Sequence, residues 1–279
     1  MDRNSSHLPG ASQRTYLTVY GNADRATEVL TVHLPRLLID WGAEGPDWWF
    51  VRYADPDSHL RLRMHLSSPD AFGDAASRVA AWAAELRSEG LIQRVQWDTD
   101  APETGRYGTG PTWEAAERFF AADSAAVLAQ LVVPLPDSDR PALTAASIVD
   151  IATGFLGSAA AGWAWLRDNF LKDEGDASPR SVQATAVRLT DADPNHPALR
   201  ELPRGDHVTA LWALRRNALA DYRQELEAAG TDPAAVLPSL LHMHHNRAAG
   251  IDPAAEATCR RLARTAALSW TARTEGAKR

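Results

Sequence analysis

The segment from Trp48 to His65, WWFVRYADPDSHLRLRMH, constrains the fold of this chain more than any other segment. Its two apolar runs are joined by the turn sequence Asp55-Pro56-Asp57-Ser58, which predicts a pair of antiparallel strands. In the second run polar and apolar residues alternate strictly, and side chains two apart on a strand point to the same face. One face of that strand therefore carries His59, Arg61, Arg63 and His65, and the other carries Leu60, Leu62, Met64 and Leu66.

The polar row of this strand is suited to binding an anion. Neighbouring side chains in such a row stand roughly 7 Å apart, a spacing that fits several oxygens of one anionic ligand. Arginine stays protonated and presents a planar fork of donors to carboxylates. The alternative is a solvated outer face on an edge strand, and alternation by itself favours that interpretation.

Composition limits the classes of function. The chain has 279 residues, 45% of them hydrophobic, and 36 acidic against 29 basic residues give a net charge of −7. The charge excludes a global attraction to nucleic acid or to an anionic membrane, so we expect neither as a direct partner. A single cysteine, Cys259, excludes an internal disulfide framework and cysteine-rich zinc sites.

The N-terminal residues, MDRNSSHLPGAS, are polar and lack the apolar core of a signal peptide. We predict that residues 1–14 form a disordered leader. No segment approaches the roughly 18 apolar residues of a membrane span, and we expect a cytoplasmic location.

The first hundred residues predict an α+β fold. Strands are expected at Tyr16–Tyr20, 48–53, 59–66 and Leu91–Asp98. Helical patterns lie between them, from Asp24 to Trp41 with a kink at Pro35, and from Pro69 to the stop at Gly90. The order β-α-β-β-α-β matches the ferredoxin-like arrangement, a four-stranded antiparallel sheet with helices on one face.

Beyond about residue 110 the sequence becomes Ala-rich and helical. Helices are predicted over 112–133, 140–172, 178–190, 206–229, 233–248 and 253–272. No long linker divides the chain, so we predict that this helical half packs on the sheet in a single domain over residues 15–275.

Two further segments carry polar residues suited to chemistry. The glycine-rich run 101–110, APETGRYGTG, follows the last predicted strand and contains Arg106; it also fits a plain connection with an exposed arginine. In the run 240–247, LLHMHHNR, a helix places His242, His245 and Asn246 on one face. Two histidines at such spacing can ligate zinc, but the run lacks the Glu of HExxH, and we predict no metal site.

Taken together and in order, these segments resemble the C-terminal domain of lantibiotic dehydratases. The segments are WWFVRYADPDSHLRLR, PETGRYGTG, AAERFFAADSAAVLAQL and SLLHMHHNRAAGID. The resemblance runs from about Tyr16 to about Trp270. The same domain occurs alone as the thiopeptide-type bacteriocin biosynthesis protein. One departure is Thr109, which stands where many relatives have a second glycine.

The resemblance implies a lyase of peptide-antibiotic biosynthesis. In that family the domain removes glutamate from glutamylated Ser or Thr of a ribosomally made precursor peptide, giving dehydroalanine or dehydrobutyrine. The long glutamylating part of a full dehydratase is missing, so the expected partners are the precursor peptide and a separate subunit that uses glutamyl-tRNA. No cofactor is implied.

The resemblance also implies roles for individual residues. The family's catalytic positions match His242, assigned to proton transfer, and Arg61, Arg63 and Arg106, assigned to glutamyl binding and charge stabilisation. The residues expected to orient or support this group are Glu103, Tyr107, Arg247 and His59.

Two alternatives stay open at this point. Some stand-alone relatives form a pyridine ring by a formal [4+2] cycloaddition of two dehydroalanines, with release of the leader peptide. Their substrate has already lost glutamate, so we expect no need for a glutamate-binding arginine cluster. The other alternative is a non-catalytic scaffold that only binds the precursor peptide or the glutamylating partner.

Overall fold

The computed structural model describes residues 7–39, 41, 47–172, 175–190, 193 and 195–276. The chain forms two compact units, Met1–Thr109 and Gly110–Arg279. The single domain over residues 15–275 stays a prediction.

The first unit contains a four-stranded antiparallel sheet. Its strands are β1 (Arg14–Gly21), β2 (Asp47–Tyr53), β3 (His59–His65) and β4 (Ile92–Asp98), in the spatial order β2-β3-β1-β4. Its helices are α1 (Ala23–Glu28), α2 (Leu34–Ile39), α3 (Phe72–Ser88) and α4 (Thr104–Tyr107). The predicted α+β class and the order β-α-β-β-α-β are confirmed.

The alternation of β3 decides which face of the sheet is covered by helices. Leu62 lies opposite Leu17 on one side and Phe50 on the other, and all three are buried. Trp82 of α3 closes this core and donates its indole N–H to the His33 carbonyl at 3.1 Å. The polar residues of β3 consequently lie on the opposite face.

The helix predicted from Asp24 to Trp41 is interrupted on the N-terminal side of Pro35. A π-helical segment, Val29–His33, separates α1 from α2. A π turn adds one residue to the helical repeat and rotates the buried face. Val32, an apolar residue of this helix, is therefore 44% exposed, and His33 is buried instead.

Part of the predicted leader belongs to the sheet unit. His7 forms an antiparallel bridge with Asp100, with backbone hydrogen bonds of 2.8 and 3.0 Å. Gln13 donates to the Ser67 carbonyl at 2.7 Å. Residues 7–14 are thus held by hydrogen bonds that their polar composition did not reveal, and residues 1–6 lie outside the described residues.

The second unit is helical. Its helices are α5 (Pro111–Leu131), α6 (Arg140–Phe155), α7 (Ala159–Asn169), α8 (Arg180–Leu189), α9 (Pro197–Arg200), α10 (Gly205–Ala228), α11 (Pro233–Ala249) and α12 (Pro253–Gly276). The helix predicted over 140–172 is two helices, bent by 120° at a break that contains Gly157 with φ +78°. Helix α6 packs against α7, α8, α10, α11 and α12, and it is buried almost throughout.

No single helix among the described residues is both long and apolar enough to cross a membrane. The bent pair Asp137–Phe155 and Ala159–Asn169 reaches the necessary length and composition only when the two helices are taken together.

Candidate active-site residues

In the first unit, the polar row of β3 is framed by aromatic side chains of its neighbouring strands. The guanidinium carbon of Arg61 lies 3.4 Å from the centre of the Tyr53 ring. That of Arg63 lies 4.4 Å from the centres of both the Tyr16 and the Trp49 rings. Aromatic faces attract cations without neutralising them, so these contacts hold both arginines in place and preserve their charge.

Arg61 and Arg63 differ in their acidic partners. Arg63 donates its Nε–H to Asp100 at 2.8 Å, and the Asp100 side chain is only 3% exposed. Across the part of the chain that the structure describes, no carboxylate lies within 4.0 Å of Arg61, which is partly buried. Among the described residues, Arg61 is therefore the arginine of the row that has no carboxylate partner.

His59 supports Arg61 from the same row. Its Nδ1 contacts the Asp57 carbonyl at 2.7 Å, and its Nε2 accepts a hydrogen bond from the Arg61 Nε at 3.2 Å. A carbonyl only accepts, so the proton sits on Nδ1 and Nε2 is free to accept. His59 is buried, and its hydrogen bond with the Arg61 Nε fixes the position of the Arg61 side chain.

The glycine-rich segment contains a helical turn that the sequence did not predict. In α4, Arg106 forms an ion pair with Glu103 at 3.4 Å, and both side chains are about half exposed. A hydrogen bond with Tyr107, the charge of Glu103 and the nearby Tyr53 raise the pKa of Arg106. Tyr107 is buried and anchors the turn. Arg106 thus presents a stable charge to solvent.

In the second unit, His242 lies on α11 and faces Glu256 of α12. Its Nδ1 lies 3.1 and 3.0 Å from the two carboxylate oxygens of Glu256. The His242 side chain is 52% exposed, whereas Glu256 is 12% exposed. The imidazole is therefore held at one nitrogen and accessible at the rest of the ring.

Arg247, predicted to support substrate binding, lies inside the helical unit. It is 1% exposed and donates to Asp123 Oδ2 at 3.0 Å. The same aspartate is bonded to Arg215 and His244. Burial alone would raise the pKa of Asp123, but His244, Arg247 and Arg215 together hold it below its ordinary range. This burial places Arg247 in a structural network, away from solvent.

The histidines considered for zinc do not converge. His245 is 1% exposed, and burial lowers its pKa to about 4, whereas His242 points into solvent. Among the described residues, the His and carboxylate groups whose possible ligand atoms lie within 4.8 Å of one another are His33, Glu85 and Glu89. This group does not include the run 242–247.

Sequence reasoning missed three residues that contact the candidate residues within their own units. Tyr53 and Asp100 contact the arginines, and Glu256 contacts His242. Tyr53 could have been predicted from the strand pairing, because it lies directly opposite His59 in the register. Asp100 and Glu256 carried no local signal.

Comparison with known proteins identifies the family of this chain. The model of the lantibiotic biosynthesis dehydratase C-terminal family matches residues 15–267. The chain is 23% identical over 212 residues to the subtilin biosynthesis protein SpaB of Bacillus subtilis, covering 73% of this chain and 20% of SpaB. It is 29% identical over 125 residues to the nisin biosynthesis protein NisB of Lactococcus lactis subsp. lactis, covering 45% of this chain and 12% of NisB. The chain thus spans a fifth or less of these curated relatives.

Solved structures show the same fold. The tRNA-dependent lantibiotic dehydratase MibB from Microbispora sp. 107891 matches with a TM-score of 0.80 and 24% identity over 94% of this chain and 28% of MibB. The pyridine synthase TbtD from thiomuracin biosynthesis matches with a TM-score of 0.57 and 16% identity over 92% of this chain and 98% of TbtD. With the family model covering nearly its whole length, this chain belongs to the lantibiotic biosynthesis dehydratase C-terminal family.

Proposed function

We propose that this protein eliminates glutamate from glutamylated Ser or Thr residues of a ribosomally made precursor peptide. The observation that carries the proposal is the state of Arg61, a partly buried cation stacked on Tyr53 with no carboxylate within 4.0 Å among the described residues. A guanidinium in this state is suited to binding an anionic ligand, and a glutamyl group supplies a carboxylate.

The chemistry balances without a cofactor. A base removes the Cα proton of the esterified residue, the electrons of that bond form the Cα=Cβ double bond, and the Cβ–O bond breaks. Glutamate leaves with the negative charge on its former ester oxygen, and the product is dehydroalanine from Ser or dehydrobutyrine from Thr. No electrons are gained or lost overall, so no oxidant or reductant is required.

The residues divide between charge stabilisation and proton transfer. Arg61, Arg63 and Arg106 bind the glutamyl group and stabilise the charge that develops as it leaves. His242 moves the proton, since an imidazole exchanges protons readily near neutral pH.

The remaining candidates support these four residues. His59 fixes Arg61, Glu103 pairs with Arg106, and Tyr107 anchors the turn that carries both. Arg247 acts through the buried Asp123 network, which holds the helix that carries His242.

We infer that the glutamyl ester is made by a separate protein that takes glutamate from glutamyl-tRNA. The net charge of −7 disfavours direct binding of the tRNA by this chain. The substrate is then the glutamylated precursor peptide.

The test is mass spectrometry of a synthetic peptide bearing glutamylated Ser, incubated with the protein alone. Release of glutamate with formation of dehydroalanine, lost in Arg61→Ala and in His242→Ala, supports elimination. An unchanged ester contradicts it. A peptide with two dehydroalanines is then offered, because ring formation with leader release indicates a pyridine synthase. Peptide binding without turnover of either substrate indicates a scaffold.

A further inference from the structure

We propose that Glu256 is a positioning residue for His242: it holds the imidazole as the Nδ1–H tautomer, so that Nε2 is the atom that accepts the substrate proton. The inference rests on the proposed function, which supplies the proton to be moved. It adds the identity of the reacting nitrogen and the residue that selects it.

The geometry of the pair supports a fixed imidazole. Both Glu256 oxygens lie within hydrogen-bond distance of His242 Nδ1, at 3.1 and 3.0 Å. The carboxylate is held in turn by Arg260, whose Nη2 donates to Oε1 at 2.5 Å. Arg260 and Glu256 are four residues apart on α12, one helical turn. The imidazole therefore rests on a carboxylate that is itself anchored.

Glu256 carries its negative charge at neutral pH. Burial by itself would raise the pKa of this carboxyl, but the hydrogen bond from His242 and the charges of His242 and Arg260 hold the pKa below its ordinary value. Glu256 also lies in the first turn of α12, where the helix dipole favours negative charge.

An ionised carboxylate only accepts hydrogen bonds, so the proton in this contact belongs to Nδ1. In a neutral imidazole the other nitrogen then bears the lone pair. No described residue forms a hydrogen bond with His242 Nε2, and the side chain is 52% exposed. Nε2 thus carries the lone pair and is open to a substrate.

The other ionisable groups around the pair do not compete with Glu256 for the proton on His242 Nδ1. Burial lowers the pKa of His245 to about 4 and raises that of the Cys259 thiol to about 12, so both are neutral near pH 7. His244 is buried against Asp123. The charged group beside Glu256 is Arg260, which keeps the carboxylate in place.

A purely structural tie between α11 and α12 is the competing explanation. An ion pair with one partner half exposed contributes only about 0–1 kcal/mol to stability, so stability measurements cannot separate the two explanations. The tautomer of His242 and the division of the kinetic effect between kcat and KM do separate them.

The test uses the full chain with ¹⁵N-labelled histidine and the variants Glu256→Ala and Glu256→Gln. The matched control is Glu275→Gln, an exposed acid on the same helix. We expect the ¹⁵N shifts of His242, assigned with His242→Ala, to indicate the Nδ1–H tautomer in the natural protein and in the control. In Glu256→Ala we expect a mixture of tautomers. In Glu256→Gln, whose amide oxygen still accepts, we expect the tautomer to be partly retained.

With the glutamylated peptide, we expect Glu256→Ala to lower kcat by about 10- to 100-fold with KM unchanged. This is less than the roughly 10²- to 10⁴-fold contribution of a general acid or base, because His242 itself is retained. Glu256→Gln should lie between it and the natural protein. Unchanged kcat, or a change in KM alone, overturns the inference while elimination stands. If the natural protein does not turn the peptide over, the proposed function fails. Independently of that result, a His242 tautomer that is unchanged in Glu256→Ala overturns the inference.

Discussion

The guanidinium of Arg61 lies 3.4 Å from the centre of the Tyr53 ring, the shortest contact between an arginine and an aromatic ring among the described residues. Stacking uses the flat face of the guanidinium and leaves its in-plane N–H groups available. One of these, on Nε, already bonds to His59. The Nη groups therefore form the fork that we assign to the glutamyl carboxylate.

Arg61 should be essential for turnover but not for folding. We expect Arg61→Ala to reduce glutamate release by about 100-fold or more, the scale of losing one oxyanion donor. The control is Arg94→Ala, which removes an arginine that also stacks on a tyrosine of the sheet, at 3.9 Å from the Tyr20 ring. Equal losses in both variants would show that stacking, rather than anion binding, explains the effect.

The pair of Arg63 and Asp100 should contribute to stability. Both side chains are largely buried, at 13% and 3% exposure, and removing one member of such a pair leaves an uncompensated charge. We expect Asp100→Asn to lower the free energy of unfolding by about 3 kcal/mol, measured by urea denaturation. Asp57→Asn, at an exposed pair 3.9 Å from Arg94, should change it by less than about 1 kcal/mol. A loss of similar size at both positions contradicts this assignment.

Stability should fall in mild acid because His245 is buried. Its pKa is about 4 when folded, below the ordinary value near 6.5. Between these values the unfolded chain binds a proton that the folded protein does not, so the free energy of unfolding decreases as the pH falls from about 6.5 to about 4. The full effect is about 3 kcal/mol for this residue.

Urea denaturation at several pH values measures that slope. His245→Asn should flatten it between pH 6.5 and 4, whereas His207→Asn, at an exposed position of α10, should leave it as it is. An identical slope in the natural protein and His245→Asn would refute the assignment.

Gly162 should resist substitution although it lies in a helix. A Cβ atom at this position would meet the backbone of Thr153 at 2.6 Å, so α7 would have to move away from α6. We expect Gly162→Ala to lower the melting temperature, with an overpacking cost of about 1–3 kcal/mol. Gly73→Ala, in a helix with open space around the Cβ position, should instead raise stability by about 0.5–1 kcal/mol. Stabilisation by both substitutions would show that α6 and α7 separate freely.

The fold of the sheet and most helices followed from local patterns. Strict alternation in HLRLRMH placed His59, Arg61 and Arg63 on one face because the strand repeat is two residues. Helical periods in the second half located α5, α10, α11 and α12 within a few residues. These features depend on neighbouring residues, which the sequence displays directly.

Contacts between distant residues were decided only by the tertiary structure. Glu256 lies 14 residues from His242, and Asp123 lies 121 residues from His244. Which carboxylate meets which cation depends on how helices pack, and this is not encoded in any local period. The π turn that exposes Val32 likewise has no local signal in the sequence, whereas the break between α6 and α7 contains a glycine in the left-handed conformation.

The sequence by itself thus determined most of the strands and helices and the polar row of β3. It also predicted the family, through the segments that resemble it. The tertiary structure decided which charges are compensated: Arg63 by Asp100, Arg247 by Asp123, and Arg61 by no carboxylate among the described residues. The physical reason is that charge compensation depends on distance and burial in three dimensions, whereas residue type and spacing specify only which face of an element a side chain occupies.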